Sequence, residues 1–268
     1  MNNGRDYWDA SAAMSIAAQS RHNAAAIAAP YDVHLCDLTL FVSCCNEESS
    51  IEATLDTVID AMKVIGKSYE IIIIDDASKD HSVERVRRYI DAHPDLVMVL
   101  RANKENKGLA QNYIDAAFIG SGQYYRLVCG NNAEPMEMMA DVFGALGEAD
   151  IIAPYYIPSL QRHAQQSFFS LTYSWLLNLI SGNRINDYNG RHVHLRFNVL
   201  RWHPNTRGAG FQAGLLCQLL ALGFTCKQVP CRNARRQADR LGRLTFSDML
   251  SILHIIAEIG LRRIAELF

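Results

Sequence analysis

Four consecutive isoleucines, Ile71 to Ile74, run straight into two aspartates, Asp75 and Asp76, and a helical pattern follows from about Ser82 to Ala92. A short β-branched run bounded by a polar turn reads as a buried strand, and the helix after it must return the chain to the same sheet. The arrangement recurs. Leu38 to Val42 form a strand that opens into "SCCNEES", with a helix starting near Ser49 or Ser50. Val97 to Leu100 lead to "RANKENKG" and a third helix, "YYRLVCGNNAEP" supplies a fourth strand with its loop, and "ADIIAPYY" a fifth strand. Strands alternating with helices, with polar residues at each strand's carboxyl end, predict an α/β fold with a mostly parallel central sheet and a ligand lying along those ends.

A chain of 268 residues, 49% hydrophobic and 20% charged, buries a substantial core as one domain with appendages. Residues 1–36 are polar and Ala-rich and read as a mobile extension, 37–245 as the folded domain, and 246–268 as an amphipathic C-terminal helix. A net charge of -2 gives no case for nucleic acid, although "CRNARRQADRLGR" is locally basic. The seven cysteines show neither CxxC nor zinc spacing and read as reduced thiols, which places the chain in the cytoplasm. No stretch reaches the roughly 18 apolar residues that span a bilayer, so a soluble or peripheral protein is expected.

"FVSCCNEESSI", "EIIIIDDASKD", "NKGLAQNYIDAA" and "CGNNAEP" resemble, in order and spacing, the nucleotide-binding half of family 2 glycosyltransferases of the GT-A fold. "INDYNGRHVHLR" and "GAGFQAGLLCQLLALGFTCKQVP" resemble the branch that makes polyprenyl-phosphate sugars, the dolichol-phosphate mannose synthase-like enzymes. The similarity spans about residues 38 to 245. It implies that Asp75 or Asp76 binds the base and ribose of a UDP- or GDP-sugar, with Asn46, Glu47, Ser78, Lys107, Gly108 and Asn131 completing the donor site. Cys44 and Cys45 replace the proline-containing lead-in of the family's first loop. Read without the resemblance, Asp76 or Ser78 could cap the following helix, Lys107 could be a solvated turn lysine, and Glu134 could be an acid at a helix N-terminus.

The family holds Mg²⁺ or Mn²⁺ with carboxylates at the end of the fourth strand, where this chain has Asn131, Asn132, Ala133 and Glu134. Glu134 is the one carboxylate in "GNNAEP", so the expected metal ligands are Glu134, Asn132 and Asn131. Three explanations stand: a weaker site built on Glu134, a donor diphosphate neutralised by Arg and Lys with the metal dispensable, or a protein that binds sugar nucleotides without catalysis. A nucleotidyltransferase on a related sheet is a further alternative, but "SCCNEES" lacks the Gly-rich basic loop it would carry after the first strand.

On the acceptor side there is neither a Gln-x-x-Arg-Trp segment nor an acidic pair to act as general base. A phosphate is already ionised near neutral pH and attacks without one, which favours a lipid phosphate. Asp187 matches an acid that the lipid-phosphate branch places near acceptor and metal, and with Glu134 and Arg191 it forms the expected catalytic group. Arg184, Arg235 and Arg236 are expected to hold the acceptor phosphate, because guanidinium groups pair with phosphate oxygens two at a time. The apolar helices "SFFSLTYSWLLNLIS" and "FSDMLSILHIIAEIGLRRIAELF" suit core packing, a subunit interface in a homo-oligomer, or docking at the cytoplasmic membrane face.

Overall fold

The computed structural model describes residues 34–157, 164–202, 210–231 and 246–265. The expected N-terminal extension, apart from its last residues, and Arg235 and Arg236 lie outside them. The strands are β1 Cys36–Cys44, β2 Tyr69–Asp75, β3 Met98–Ala102, β4 Gly122–Cys129, β5 Ile151–Tyr156, β6 Val193–Leu195 and β7 Cys226–Cys231. The helices are α1 Ile51–Ile65, α2 Ser82–Ala92, α3 Leu109–Ile119, α4 Met136–Gly144, α5 Ala164–Ser181, α6 Arg196–Leu200, α7 Phe211–Ala221 and α8 Phe246–Ala265.

The strands form one sheet in the order β3-β2-β1-β4-β6-β5-β7. The β1–β2, β2–β3, β1–β4 and β5–β7 pairs are parallel, and β6 runs antiparallel to both β4 and β5. This is the expected α/β architecture. The antiparallel β6 and the edge strand β7 are additions that the sequence pattern did not reveal: three residues are too few to show a period, and "CKQVPC" carries a proline that lowers its strand signal.

The isoleucine run explains the two-layered core. Ile71 and Ile73 point to one face, among Leu40, Val42, Leu55, Val58, Val86 and Phe143, while Ile72 and Ile74 point to the other, among Phe41, Tyr113, Ile114, Leu127 and Leu216. A strand packed by helices on both sides has no polar face to show, so alternation disappears from its sequence. The chain runs from β1 through β2 to β3 at one edge of the sheet and then crosses back to β4 on the other side of β1. That reversal opens a crevice beyond the carboxyl ends of β1 and β4, where α/β sheets of this type place their ligands.

Candidate functional site at the strand ends

The loops after β1 and β2 grip each other. The Asn46 N–H donates to Ser78 Oγ at 2.8 Å, the Lys79 N–H donates to Asn46 Oδ1 at 2.8 Å, and the Glu47 N–H donates to Ser82 Oγ at 2.8 Å. Glu48 and Asp80 extend the clasp by accepting the His81 and Glu48 N–H groups at 2.9 and 3.1 Å. Asp75 accepts both the Ser78 hydroxyl and the Ser78 N–H. Three non-glycine residues among those described have positive φ, Asn46 at 57°, Ala77 at 60° and Asn132 at 49°, and all three lie in strand-end loops. Left-handed backbone is costly outside glycine and concentrates where a loop must hold a functional shape.

Asp76 reaches sideways to the next loop. Its carboxylate accepts Asn103 Nδ2 at 3.0 Å, the Lys107 N–H at 2.9 Å and the Gly108 N–H at 3.0 Å, and so ties β2 to the start of α3. Burial alone would raise its pKa, but hydrogen bonds from Asn112, the Lys107 N–H, Asn103 and the Gly108 N–H outweigh burial and hold the carboxyl below its ordinary value. Asp76 is therefore a cap, but of the loop before α3 and not of α2 as the local sequence allowed. The Lys107 side chain turns to Asp115, 3.6 Å away. Gly108 takes φ 83° immediately ahead of α3, a conformation that favours glycine. Asn46, Glu47, Asp75, Asp76, Ser78, Lys107 and Gly108 are thus brought together, with many of their polar atoms spent on shaping the loops.

At the end of β4 the backbone is equally fixed. The Gly130 N–H donates to the Ser43 carbonyl at 2.9 Å, and a Cβ at position 130 would stand 2.6 Å from that oxygen. From α1, Thr54 Oγ1 donates to the Gly130 carbonyl at 2.8 Å and accepts the Asn132 N–H at 2.9 Å, while Thr57 Oγ1 donates to Asn132 Oδ1 at 3.0 Å. Glu134, 2% exposed, turns inward. Its Oε2 accepts Arg126 Nη2 at 2.6 Å, and its Oε1 lies 2.9 Å from Arg191 Nη1 in an ion pair outside hydrogen-bond geometry. Arg126 is fully buried, stacks on the Phe143 ring at 5.2 Å and donates from Nε to the Arg191 carbonyl at 3.0 Å. Arg191 also donates from Nε to Cys129 Sγ at 3.2 Å.

These contacts bear on the expected metal ligands. Both oxygens of Glu134 face guanidinium groups, and Asn132 Oδ1 is taken by Thr57, which leaves the buried, unbonded Oδ1 of Asn131. A hard divalent cation is held chiefly by anionic oxygen, and a lone neutral amide oxygen brings no charge. Among the described residues no group of three or more His, Cys, Asp or Glu side chains is placed to hold a metal. The side chains at this strand end therefore do not fit a protein-held divalent cation.

The acceptor-side loop lies between α5 and β6. The Asn189 N–H donates to Asp187 Oδ1 at 2.9 Å, and His192 Nε2 donates to the Asp187 carbonyl at 3.1 Å. Gly190 packs so closely on β5 that a Cβ would meet the Pro154 oxygen at 2.3 Å. Arg184 is exposed, with its carbonyl accepting Gln228 Nε2 at 2.9 Å. Arg191 goes inward to Glu134, so the loop bearing Asp187 is tethered to the loop after β4. His192 and His194 are buried. Burial drives the His192 pKa down to about 4, with the Arg126 charge adding to it against the hydrogen bond to the Asp187 carbonyl; burial, with His192 beside it, also holds the His194 pKa well below its ordinary value.

Arg126, Thr54 and Thr57 are the participants that sequence reading missed. A signal existed for the first: an arginine inside the apolar strand "YYRLVC" must find a buried counter-charge, and the nearest acid after the strand is Glu134.

Residues 39–128 match the model of glycosyl transferase family 2. A dolichyl-phosphate β-glucosyltransferase of Dictyostelium discoideum is 32% identical over 101 residues, 36% of this chain and 31% of that protein, so the match spans about a third of the relative's length. Among solved structures, TarS 1-349 of S. aureus with UDP-GlcNAc superimposes with TM-score 0.59 at 15% identity, covering 83% of this chain and 66% of that one. Glucosyl-3-phosphoglycerate synthase from Mycobacterium tuberculosis, in complex with Mn²⁺, UDP and glucosyl-3-phosphoglycerate, gives 0.59 at 18% identity over 83% and 81%. The mannosyltransferase PcManGT from Pyrobaculum calidifontis, with GDP-Man and Mn²⁺, gives 0.58 at 17% over 85% and 71%. At these identities the structures speak for the fold. Strand order and strand-end loops agree with the family match, which covers residues 39–128, and the chain has the GT-A fold of these solved structures.

Proposed function

We propose that this protein is an inverting glycosyltransferase that moves a sugar from a UDP- or GDP-sugar to a polyprenyl-phosphate-type lipid. The observation that carries the reading is the convergence of the loops after β1, β2, β3 and β4 on the crevice at the sheet's reversal point. The base and ribose lie against the loop Asp75–Ser78 and the Lys107–Gly108 turn, close to Asn46 and Glu47, with Asn131 at the sugar-diphosphate end. The acceptor phosphate is gathered by Arg184 and by Arg235 and Arg236, with Asp187 orienting it.

In the reaction an acceptor phosphate oxygen attacks the anomeric carbon from the face opposite the leaving group. The new carbon–oxygen bond forms as the bond to the nucleoside diphosphate breaks, and the electron pair leaves with the diphosphate. No proton has to be removed from the nucleophile, because a phosphate is already ionised near neutral pH. Support for a lipid phosphate comes from the dolichyl-phosphate relative and from apolar helix faces. Leu171, Trp175 and Leu179 on α5, and Leu250, Leu253, Leu261 and Ile264 on α8, are each more than half exposed. Among the described residues no helix is long and apolar enough to cross a membrane, so such faces suit docking on a membrane surface.

The test is incubation with radiolabelled UDP- and GDP-sugars in the presence of dolichyl phosphate, undecaprenyl phosphate or soluble saccharides. Label entering the lipid phosphate supports the reading. Efficient transfer to a saccharide alone overturns the acceptor class, and tight nucleotide binding without transfer favours the non-catalytic reading.

A further inference from the structure

We infer that the buried Arg126–Glu134–Arg191 cluster takes the place of a divalent cation at the end of β4, so that this protein binds its nucleotide donor without a protein-held metal. The inference rests on the donor-site reading above and concerns how that same site is organised.

Three observations lead to it. The first is charge: two guanidinium groups, those of Arg126 and Arg191, meet the one carboxylate of Glu134 beneath the loop, and arginine stays cationic at physiological pH. A buried charge is little screened by salt and acts on a diphosphate bound above it.

The second is competition for Glu134. A cation that recruited this carboxylate would have to displace both arginines and leave Arg126, which has no exposed surface, without its counter-ion. Removing one partner from a buried ion pair is strongly unfavourable.

The third is that the loop's conformation is already determined without a metal. Gly130 is held by Ser43 and Thr54, Asn132 by Thr54 and Thr57, and Glu134 by the two arginines. The ordering that a bound ion would give the strand-end loop is supplied by side chains. Arg126 and Arg191 are positioning residues in this account: they act on the donor through the loop and its field.

The experiment is calorimetric titration of the full chain with GDP and with UDP, once in EDTA and once in Mn²⁺, on the parent, Arg191→Gln and Arg191→Lys. The parent should bind nucleotide with the same affinity in both buffers, and transfer to lipid phosphate should persist in EDTA. Arg191→Gln frees Glu134 Oε1, so nucleotide binding should weaken by about tenfold and recover in Mn²⁺, because a hard ion can now reach an anionic oxygen. Arg191→Lys keeps the charge and should stay indifferent to Mn²⁺. A merely structural Arg191 would lower affinity without creating any response to metal. If Arg191→Gln fails to fold, the parent comparison decides by itself: about tenfold tighter nucleotide binding in Mn²⁺, with one ion bound per chain, overturns the inference while leaving the donor site standing. Absence of nucleotide binding in both buffers removes the donor-site reading, and this inference with it.

Discussion

Asp76 accepts the Gly108 backbone N–H at 3.0 Å, and through that bond the end of β2 holds the start of α3. Replacing Asp76 with Asn puts an amide N–H₂ against a backbone N–H and loses at least one buried hydrogen bond. Asp76→Asn should lower stability by about 1–3 kcal/mol, and it should also weaken UDP or GDP binding, since the turn at Lys107 and Gly108 shifts. Urea denaturation and calorimetry measure the two effects. A variant with unchanged nucleotide affinity would remove this turn from the donor site. The carboxyl's pKa is lowered in the fold, so its contribution is present above the ordinary value of 3.8 and is lost as pH falls through the folded value.

Ala77 pays a conformational penalty at φ 60° that glycine would not. Ala77→Gly should raise stability by up to about 1 kcal/mol, the left-handed strain being partly offset by the greater entropy of glycine in the unfolded chain. Nucleotide affinity should be kept, because the loop shape is retained. A loss of stability would mean that the Ala77 methyl group makes contacts worth more than the strain.

The two buried histidines set a pH dependence of opposite origin from a surface histidine's. His192 titrates at about 4 in the fold, and His194 is also held neutral, whereas in the unfolded chain both take up protons near pH 6.5. Their folded pKa values are depressed, so the stability they contribute is present above about pH 6.5 and is lost as pH falls toward about 4. Denaturant midpoints measured at pH 7 and pH 5 should show this loss. The His192→Asn variant should show a smaller difference between the two; an unchanged difference would assign the slope to other groups.

Glu134→Gln leaves two buried guanidinium groups facing a neutral amide. The expected cost is about 3–5 kcal/mol, as for removing one partner of a buried ion pair, and it should appear in thermal and urea unfolding before any question of metal arises. A fully stable Glu134→Gln variant would mean that water or other groups reach Arg126 and Arg191 in solution.

The sequence by itself determined the sheet's parallel half and its place in chain order. Ile71 to Ile74 have no polar face, so they can only be a strand covered on both sides, and the polar residues after each such run must then gather along one edge. Local pattern also located the helix Ser82–Ala92 with its observed ends. Tertiary structure alone decided what the polar side chains at that edge face. Nothing in the spacing of "GNNAEP" says that Glu134 turns away from the crevice, because its partners Arg126 and Arg191 stand on β4 and in the loop before β6, 65 residues apart in sequence and joined by the Arg126–Arg191 backbone contact. Nor does the sequence show that Asp76 reaches past its own helix to the Lys107 and Gly108 amides, 31 and 32 residues away. Period and turn chemistry are local properties and are written residue by residue. The direction of a carboxylate is set by which distant donor the fold delivers to it, since a buried charge must be paired wherever the partner comes from.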